Sequence, residues 1–519
     1  MADRAQPVSG APGIGAALCV ATLILGALAA VVWRAEPGSG LGPSDWQAVR
    51  FTLIQAALSA GLSVALAVPV ARALARRRFV GRGALITLLG APFILPVIVA
   101  VLGLLAVFGR AGWVSQALGA LGLEPLRIYG LHGVVLAHVF FNLPLATRLI
   151  LQGWQEIPGE RFRLAAQLGA GPEAIWRLLE RPMLARTAPG ALAVVFAICL
   201  TSFAVALTLG GGPRATTVEL AIYQAFRFDF DLGRAALLSG IQIVLTALAA
   251  GLALRAAPGG GFGAGLDRAV QRWDANTPTL RLLDGAAITL AALFLLLPLA
   301  AIAMAGLPGL TELPASVFRA ARTSVLIALL STGVLLVLAV PMAASIAMVR
   351  RAAWIEIAGL LGLAVSPLVI GTGLFIVIYP LADPRALALP VTALVNAVMA
   401  LPFALRILVP RARAVIGDFG QLGLSLNMGG GPFLRLVLLP RMRAQIGFTA
   451  GLAAALSMGD LGVIALFADQ DMATLPLQIY RLMGAYRMEA AAGAALLLLG
   501  LSMLAFWIFD RGGRWHAEP

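Results

Sequence analysis

About twelve separate stretches of this chain are apolar for the length that a helix needs to cross a lipid bilayer, and that recurrence limits the fold more than any other feature. A hydrocarbon core of about 30 Å takes about 20 helical residues. Inside it every backbone N–H and C=O must find its partner within the chain, which segments of this length achieve as helices. The expected fold is therefore all-α and integral to a membrane. The stretches fall at 13–33, 51–75, 84–108, 130–152, 188–210 and 233–254, then at 283–306, 323–348, 357–380, 388–409, 446–467 and 490–509. The first is longer than the core of a signal peptide and is expected to stay as a membrane helix. With 60% of residues apolar and 12% charged, the balance of a water-soluble domain is excluded.

Between the sixth and seventh stretches, from Arg255, lies a polar, glycine-rich segment that reads as a linker. It divides the chain into 1–254, a linker 255–282 and 283–519. The outer parts repeat each other: the string from Phe51 parallels that from Thr323, aligning Pro69 with Pro341, and NLPLATR parallels ALPFALR, aligning Pro144 with Pro402. With an even number of spans in each half, the copies run the same way through the membrane. The expectation is two parallel six-helix repeats about an axis along the membrane normal. Arginine in short loops sets the orientation. Arg72, Arg76, Arg77, Arg78 and Arg82 follow the second span, Arg350 and Arg351 the eighth, and Arg406, Arg411 and Arg413 the tenth. These loops, and both termini, are expected on the cytoplasmic side.

The net charge of +14 is carried by arginine alone, because the chain has no lysine. A Walker A phosphate loop needs its lysine to reach the β and γ phosphates, so energy for any transport must come from another subunit or an ion gradient. Cys19 and Cys199 lie in different apolar spans, so no disulfide is expected, and three histidines without a Cys/His cluster give no metal site. No cofactor and no nucleic-acid partner is expected; the surroundings are the lipid bilayer.

One polar loop stands out from the spans and occurs twice. Within the loop 153–187, RLAAQLGAGPEAIWRLLERP runs from Arg163 to Pro182, and within the loop 410–445, QLGLSLNMGGGPFLRLVLLP runs from Gln421 to Pro440. Each copy places Gly169 or Asn427 thirteen residues before a proline, Pro182 or Pro440. Glycine and asparagine most readily adopt the left-handed conformation that turns one helix into another. Each loop therefore reads as a helical elbow. It resembles the EAA loop of ABC-importer permeases: E-A-A, three residues, G, then I-x-L-P downstream. Ala165 keeps the second alanine and Gly169 the glycine. Arg163 and Gln421 stand in the place of Glu, Leu164 and Leu422 replace the first Ala, and Asn427 replaces the second glycine. The resemblance implies that Arg163, Ala165, Gly169, Pro182, Gln421, Asn427 and Pro440 meet a separate ABC ATPase subunit, in two copies.

A carboxylate within a span is costly and is a functional candidate by default. Asp460, in LSMGDLGVIALF, lies between Gly459 and Gly462, where the helix is expected to loosen toward the path. Ser202 or Phe203 holds its place in the first half, so the two halves present unequal walls. His138 and Asn142, in LAHVFFNLP, share one helix face. Polar residues in spans more often join helices than bind ligands, and hydrogen bonds between helices are expected of them, as of Asn396, beside a place on the path. The glycine runs 210–212 and 429–431, each followed by proline, read as turns.

The strings LAHVFFNLP, TSFAVALTLGGGPRATTVELAIYQA, LSMGDLGVIALF and TLPLQIY give a longer resemblance, over most of both halves, to the fused permease of the thiamine and thiamine pyrophosphate ABC importer of Gram-negative bacteria. It implies the type I importer permease fold and an inner-membrane location. It also implies a periplasmic substrate-binding protein that delivers thiamine or its phosphates, and a substrate path that includes Asp460, Ser202, His138 and Asn142. A fused ferric-iron ABC permease shares the layout, and a gradient-driven secondary transporter also commonly has six plus six spans. The near absence of titratable residues from the spans weighs against the second. An enzyme is disfavoured, since no clustered nucleophile, base or metal ligand set appears.

Overall fold

The computed structural model describes residues 9–35, 40–90, 95–256, 272–274, 276–348, 352–467 and 472–515. Among these residues every regular element is helical and none is a strand. Among these residues eleven helices are long and apolar enough to cross a membrane, or twelve if the one bent pair counts as a single span.

The first half opens with α1 (Ala11–Arg34), α2 (Pro43–Arg76), α3 (Arg82–Leu88), α4 (Val97–Phe108) and α5 (Trp113–Ala120). It continues with α6 (Leu131–Gln155), α7 (Gly159–Gln167), α8 (Pro172–Ile175), α9 (Arg181–Leu200), α10 (Phe203–Leu209), α11 (Val218–Arg227) and α12 (Leu232–Ala256). The second half holds α13 (Pro278–Gly309), α14 (Ala315–Met348), α15 (Ala353–Leu360), α16 (Pro367–Ile378) and α17 (Ala388–Ser425). After it come α18 (Gly431–Phe433), α19 (Leu439–Arg441), α20 (Arg443–Met458), α21 (Gly462–Phe467), α22 (Leu475–Gly484) and α23 (Met488–Arg514).

The main helices of the two halves match. Helices α2 and α14 each span 34 residues with one interior proline, Pro69 or Pro341. Helices α4 and α16 each span 12 residues, and α11 and α22 ten. A tertiary hydrogen bond repeats as well: Val218 N donates to Thr52 Oγ1 at 2.9 Å, and Leu475 N to Ser324 Oγ at 2.8 Å.

The first helix of each half packs on the other half. Helix α1 lies along α14 and α16, while α13 lies along α2 and α4. Glycine makes each crossing possible. A Cβ on Gly373 would stand 2.2 Å from the Ala27 carbonyl oxygen, and one on Gly103 2.5 Å from that of Pro298. Apolar side chains gain nothing by leaving lipid for another helix, so close backbone approach of this kind supplies the attraction.

Several spans expected as single helices are broken. The ninth divides into α15, extended by a 3-10 turn to Leu363, and α16, which meet at 96°. Ser366 caps α16 by accepting from Leu368 N at 3.1 Å, and Pro367 follows. Proline has no N–H to give to a preceding turn, so it begins helices better than it continues them. The third span divides likewise into α3 and α4, with 91–94 outside the described residues. The fifth is interrupted at Thr201–Ser202 and the eleventh at 459–461. The tenth, expected to end at 409, continues as α17 to Ser425, so the loop placed at 410–445 begins as helix. In the first half Pro158 separates α6 from α7; Ile416 occupies its place in α17 and the helix runs on. Arg350, Arg351 and most of the linker (257–271 and 275) lie outside the described residues.

Candidate functional site

The interrupted fifth and eleventh spans bring paired polar clusters into the bundle. In the first half Ser202 leads into α10 in extended conformation, and its Oγ lies 2.7 Å from His138 Nε2. The other ring nitrogen, Nδ1, lies 3.2 Å from Ser59 Oγ on α2. A broken helix leaves carbonyls without intrahelical donors. Gln55 donates to the Cys199 carbonyl and Gln242 to that of Leu200, each at 2.9 Å. Asn142 donates to the His138 carbonyl at 2.9 Å and lies 3.4 Å from Cys199 Sγ. His138 and Asn142 therefore sit in a buried network that ties α6 to α2 and α9.

In the second half Asn396 stands in the place of His138 and donates to Ser457 Oγ at 3.0 Å; Ser457 in turn lies 2.9 Å from Ser331 Oγ. Asp460 takes the place of Ser202. Its Oδ1 accepts from Gly462 N at 3.2 Å, bridging the break, and its Oδ2 makes no hydrogen bond among the described residues. The breaks meet across the boundary between halves: a Cβ on Gly462 would lie 3.8 Å from Phe203 Cδ1. Buried polar atoms are ordinarily paired; Asp460 Oδ2 is open in the second cluster, as Gln55 Oε1 and Gln242 Oε1 are in the first, and what sets the second wall apart is that its open oxygen belongs to a carboxylate. Glu219 at the start of α11 is a further buried carboxylate that the sequence did not single out.

At one end of the bundle the two elbows project. Gly169 has φ +65° and Asn427 φ +53°, so both corners take the left-handed conformation. A π turn follows each corner, Trp176–Glu180 in the first and Leu434–Leu438 in the second. Buried Ile175 and Phe433 anchor the equivalent positions. Three leucines of each elbow are exposed: Leu164, Leu168 and Leu178 in the first, Leu422, Leu426 and Leu436 in the second. Arg163, Gln421, Pro182 and Pro440 are exposed too, with Ala165 half-buried.

The roots of the elbows differ. Glu180, fully buried, receives Arg72 at 2.7 Å, Arg272 at 3.0 Å and Trp154 Nε1 at 3.3 Å. Arg272 also grips Asp274, with two contacts of 2.7 Å. Burial acts against the Arg272 charge, but bonding to Asp274 and the field of Glu180 outweigh it and hold the guanidinium above its ordinary range. Burial likewise lifts the Asp274 carboxyl; the bonds and charge of Arg272 more than offset this and keep it below the usual carboxylate range. Nearby, Asp284 of α13 receives Arg76 and Arg77, each from Nε at 2.7 Å. In the second half Leu438 replaces Glu180 and Ala344 replaces Arg72, both buried and apolar. Among the described residues no group of His, Cys, Asp and Glu could hold a metal ion.

No protein-family model matches the chain. It is 39% identical to the thiamine transport system permease protein ThiP of Escherichia coli (strain K12), over 98% of each chain. It is also 39% identical to the ThiP of Brucella abortus (strain 2308), over 99% of this chain and 96% of that one. Over 40% of its length it is 32% identical to the molybdenum transport system permease protein ModB of Mycobacterium bovis, covering 77% of that protein.

Proposed function

This chain belongs to the family of thiamine transport system permeases, and from that premise we propose that it moves thiamine and its phosphates into the cytoplasm as the membrane subunit of an ATP-driven importer. It is a multi-pass inner-membrane protein with the type I permease fold, and its relatives are transport permeases. Residues 1–254 and 283–519 serve as two repeats joined by 255–282. A separate ABC ATPase hydrolyses ATP, one copy against each elbow, and a periplasmic binding protein delivers the solute at the opposite end. The elbows and both termini face the cytoplasm, as the arginines after the second and tenth spans indicate.

The observation that carries this reading is the pair of elbows, with the same left-handed corner, the same π turn and the same three exposed leucines. Matched exposed apolar clusters at one end of a membrane bundle suit grooves on two copies of a soluble partner. Arg163, Ala165, Gly169, Pro182, Gln421, Asn427 and Pro440 form this docking surface.

The solute path runs between the interrupted spans. Ser202 lines one wall, positioned by His138, whose helix Asn142 holds in place, and Asp460 lines the other. A carboxylate with one oxygen open suits the thiazolium cation of thiamine.

Uptake of labelled thiamine into vesicles tests the reading. Transport is expected with ATPase, ATP and binding protein together, and its persistence without the ATPase would refute the reading. Asp460→Asn is expected to lower uptake several-fold while the complex still assembles; full transport in that variant would return Asp460 to a structural role.

A further inference from the structure

Arg272 closes the first elbow from outside it. The residue belongs to the connection between the halves, yet its side chain is 2% exposed. It touches both limbs of the elbow: its guanidinium carbon lies 4.6 Å over the ring of Phe162 on α7, and its Nη1 donates to Glu180 Oε1 at the end of the π turn. Asp274 occupies the remaining edge of the fork. A rigid, permanently charged fork can serve two carboxylates and an aromatic face at once, which the point charge of a lysine cannot.

Around this contact a ring closes. Glu180 holds Arg72 through Oε2, and Arg72 belongs to α2. At the end of α2, Arg76 and Arg77 hold Asp284 of α13. Helix α13 follows directly on the segment that carries Arg272 and Asp274. Elbow, linker, α13 and α2 are thus joined by buried ion pairs at one end of the bundle. Among the described residues nothing equivalent braces the second elbow, whose limbs meet each other: a Cβ on Gly423 would lie 2.6 Å from the Phe433 ring, and Arg441 stacks on Phe419 at 4.0 Å.

We propose that Arg272 is a positioning residue for transport, fixing the angle between the limbs of the first elbow and passing its displacement to α13, and so to the second half. The proposal rests on the ATPase-docking reading above. Two identical ATPase copies then push on unequal levers, one tied across the halves and one self-contained.

The test uses the complete importer in vesicles, reading thiamine taken up per ATP hydrolysed, with ATPase co-purification measured separately. Arg272→Met keeps the stem and removes the charge. It is expected to lower the ratio about tenfold, within the usual range of coupling between two sites, while co-purification stays within about twofold. Arg272→Lys is expected to recover only part of the ratio, and Arg281→Met, on an exposed side chain at the start of α13, to change nothing. A wild-type ratio in Arg272→Met overturns the proposal. Should that variant fail to accumulate, Glu180→Gln and Asp274→Asn are added to remove the stranded charges. A low ratio in that triple variant supports the brace and a normal one overturns it. Absence of uptake in the unsubstituted importer would strike the docking reading itself.

Discussion

Where the first elbow is rooted on Glu180 between Arg72 and Arg272, the second is rooted on Leu438, with Ala344 in the place of Arg72 and Ala412 in that of Trp154. The same substitution of chemistry recurs at the opposite end of the bundle. There Arg234 of α12 meets Asp45 of α2 at 2.7 Å, and the corresponding second-half positions are Val317 and Ala490, both buried. One backbone arrangement is therefore held by ion pairs in one half and by apolar packing in the other. Replacing a complete buried ion pair with well-packed apolar side chains is often neutral or stabilising, whereas removing one partner is severe. The second half shows that the fold does not need these charges. Their presence in the first half, where the linker returns, fits a role in joining parts, not in building either one.

The strongest way to break this contrast is to move a charge to the wrong side. Leu438→Glu buries a carboxylate with Ala344 where an arginine would be needed, at an expected cost of about 5 kcal/mol. The expected result is loss of folded protein from the membrane, with partial recovery on adding Ala344→Arg; normal accumulation of Leu438→Glu alone would show that the second root is wet. Glu180→Ala removes the carboxylate that Arg72 and Arg272 share, leaving Arg272 only Asp274, and is expected to lose about 3 kcal/mol, read as a lower thermal midpoint in detergent. Gly169→Val and Asn427→Val strain both corners alike, by about 1 to 3 kcal/mol, because a β-branched residue resists positive φ. Each should weaken ATPase co-purification, and Asn427→Gly should not. No atom lies within 4 Å of a Cβ on Gly169, so backbone strain alone is tested there.

The smallest effect concerns pH. The Asp274 carboxyl is held below its unfolded value, so its contribution is complete above about pH 4 and fades as pH falls through the lower folded value. The stability difference between wild type and Asp274→Asn should stay constant from about pH 8 to 5 and shrink only in stronger acid. A difference that grew or vanished near neutrality would contradict the pairing with Arg272.

Much of the architecture could be read from residue order, since apolar length and paired prolines are local signals. Gly169 and Asn427 announced their corners because few residue types accept that conformation, and Asp460 between two glycines announced a loosened helix. The bend at Ser366–Pro367 was passed over inside a continuous apolar run, though the capping serine and proline were in view. Glu180 was hidden for another reason. In RLLERP it reads as a solvent-facing charge on a regular helix, and the π turn, with its extra residue, resets which side chains face inward. Arg272 sat in a polar string whose composition says linker; its burial depends on Phe162 and Glu180, distant in sequence, and no local pattern encodes that.

The exchange of α1 and α13 between the halves bears on how the chain is made. While the ribosome is still producing the later spans, the inward stripe of α1, with Val20, Ile24 and Ala27, lacks most of the surface it settles on, because α14 and α16 do not yet exist. An insertion intermediate therefore waits half-clasped in the bilayer. Final assembly resembles two hands interlocking their thumbs, and a chain cut between the halves would yield pieces that mature only in each other's company.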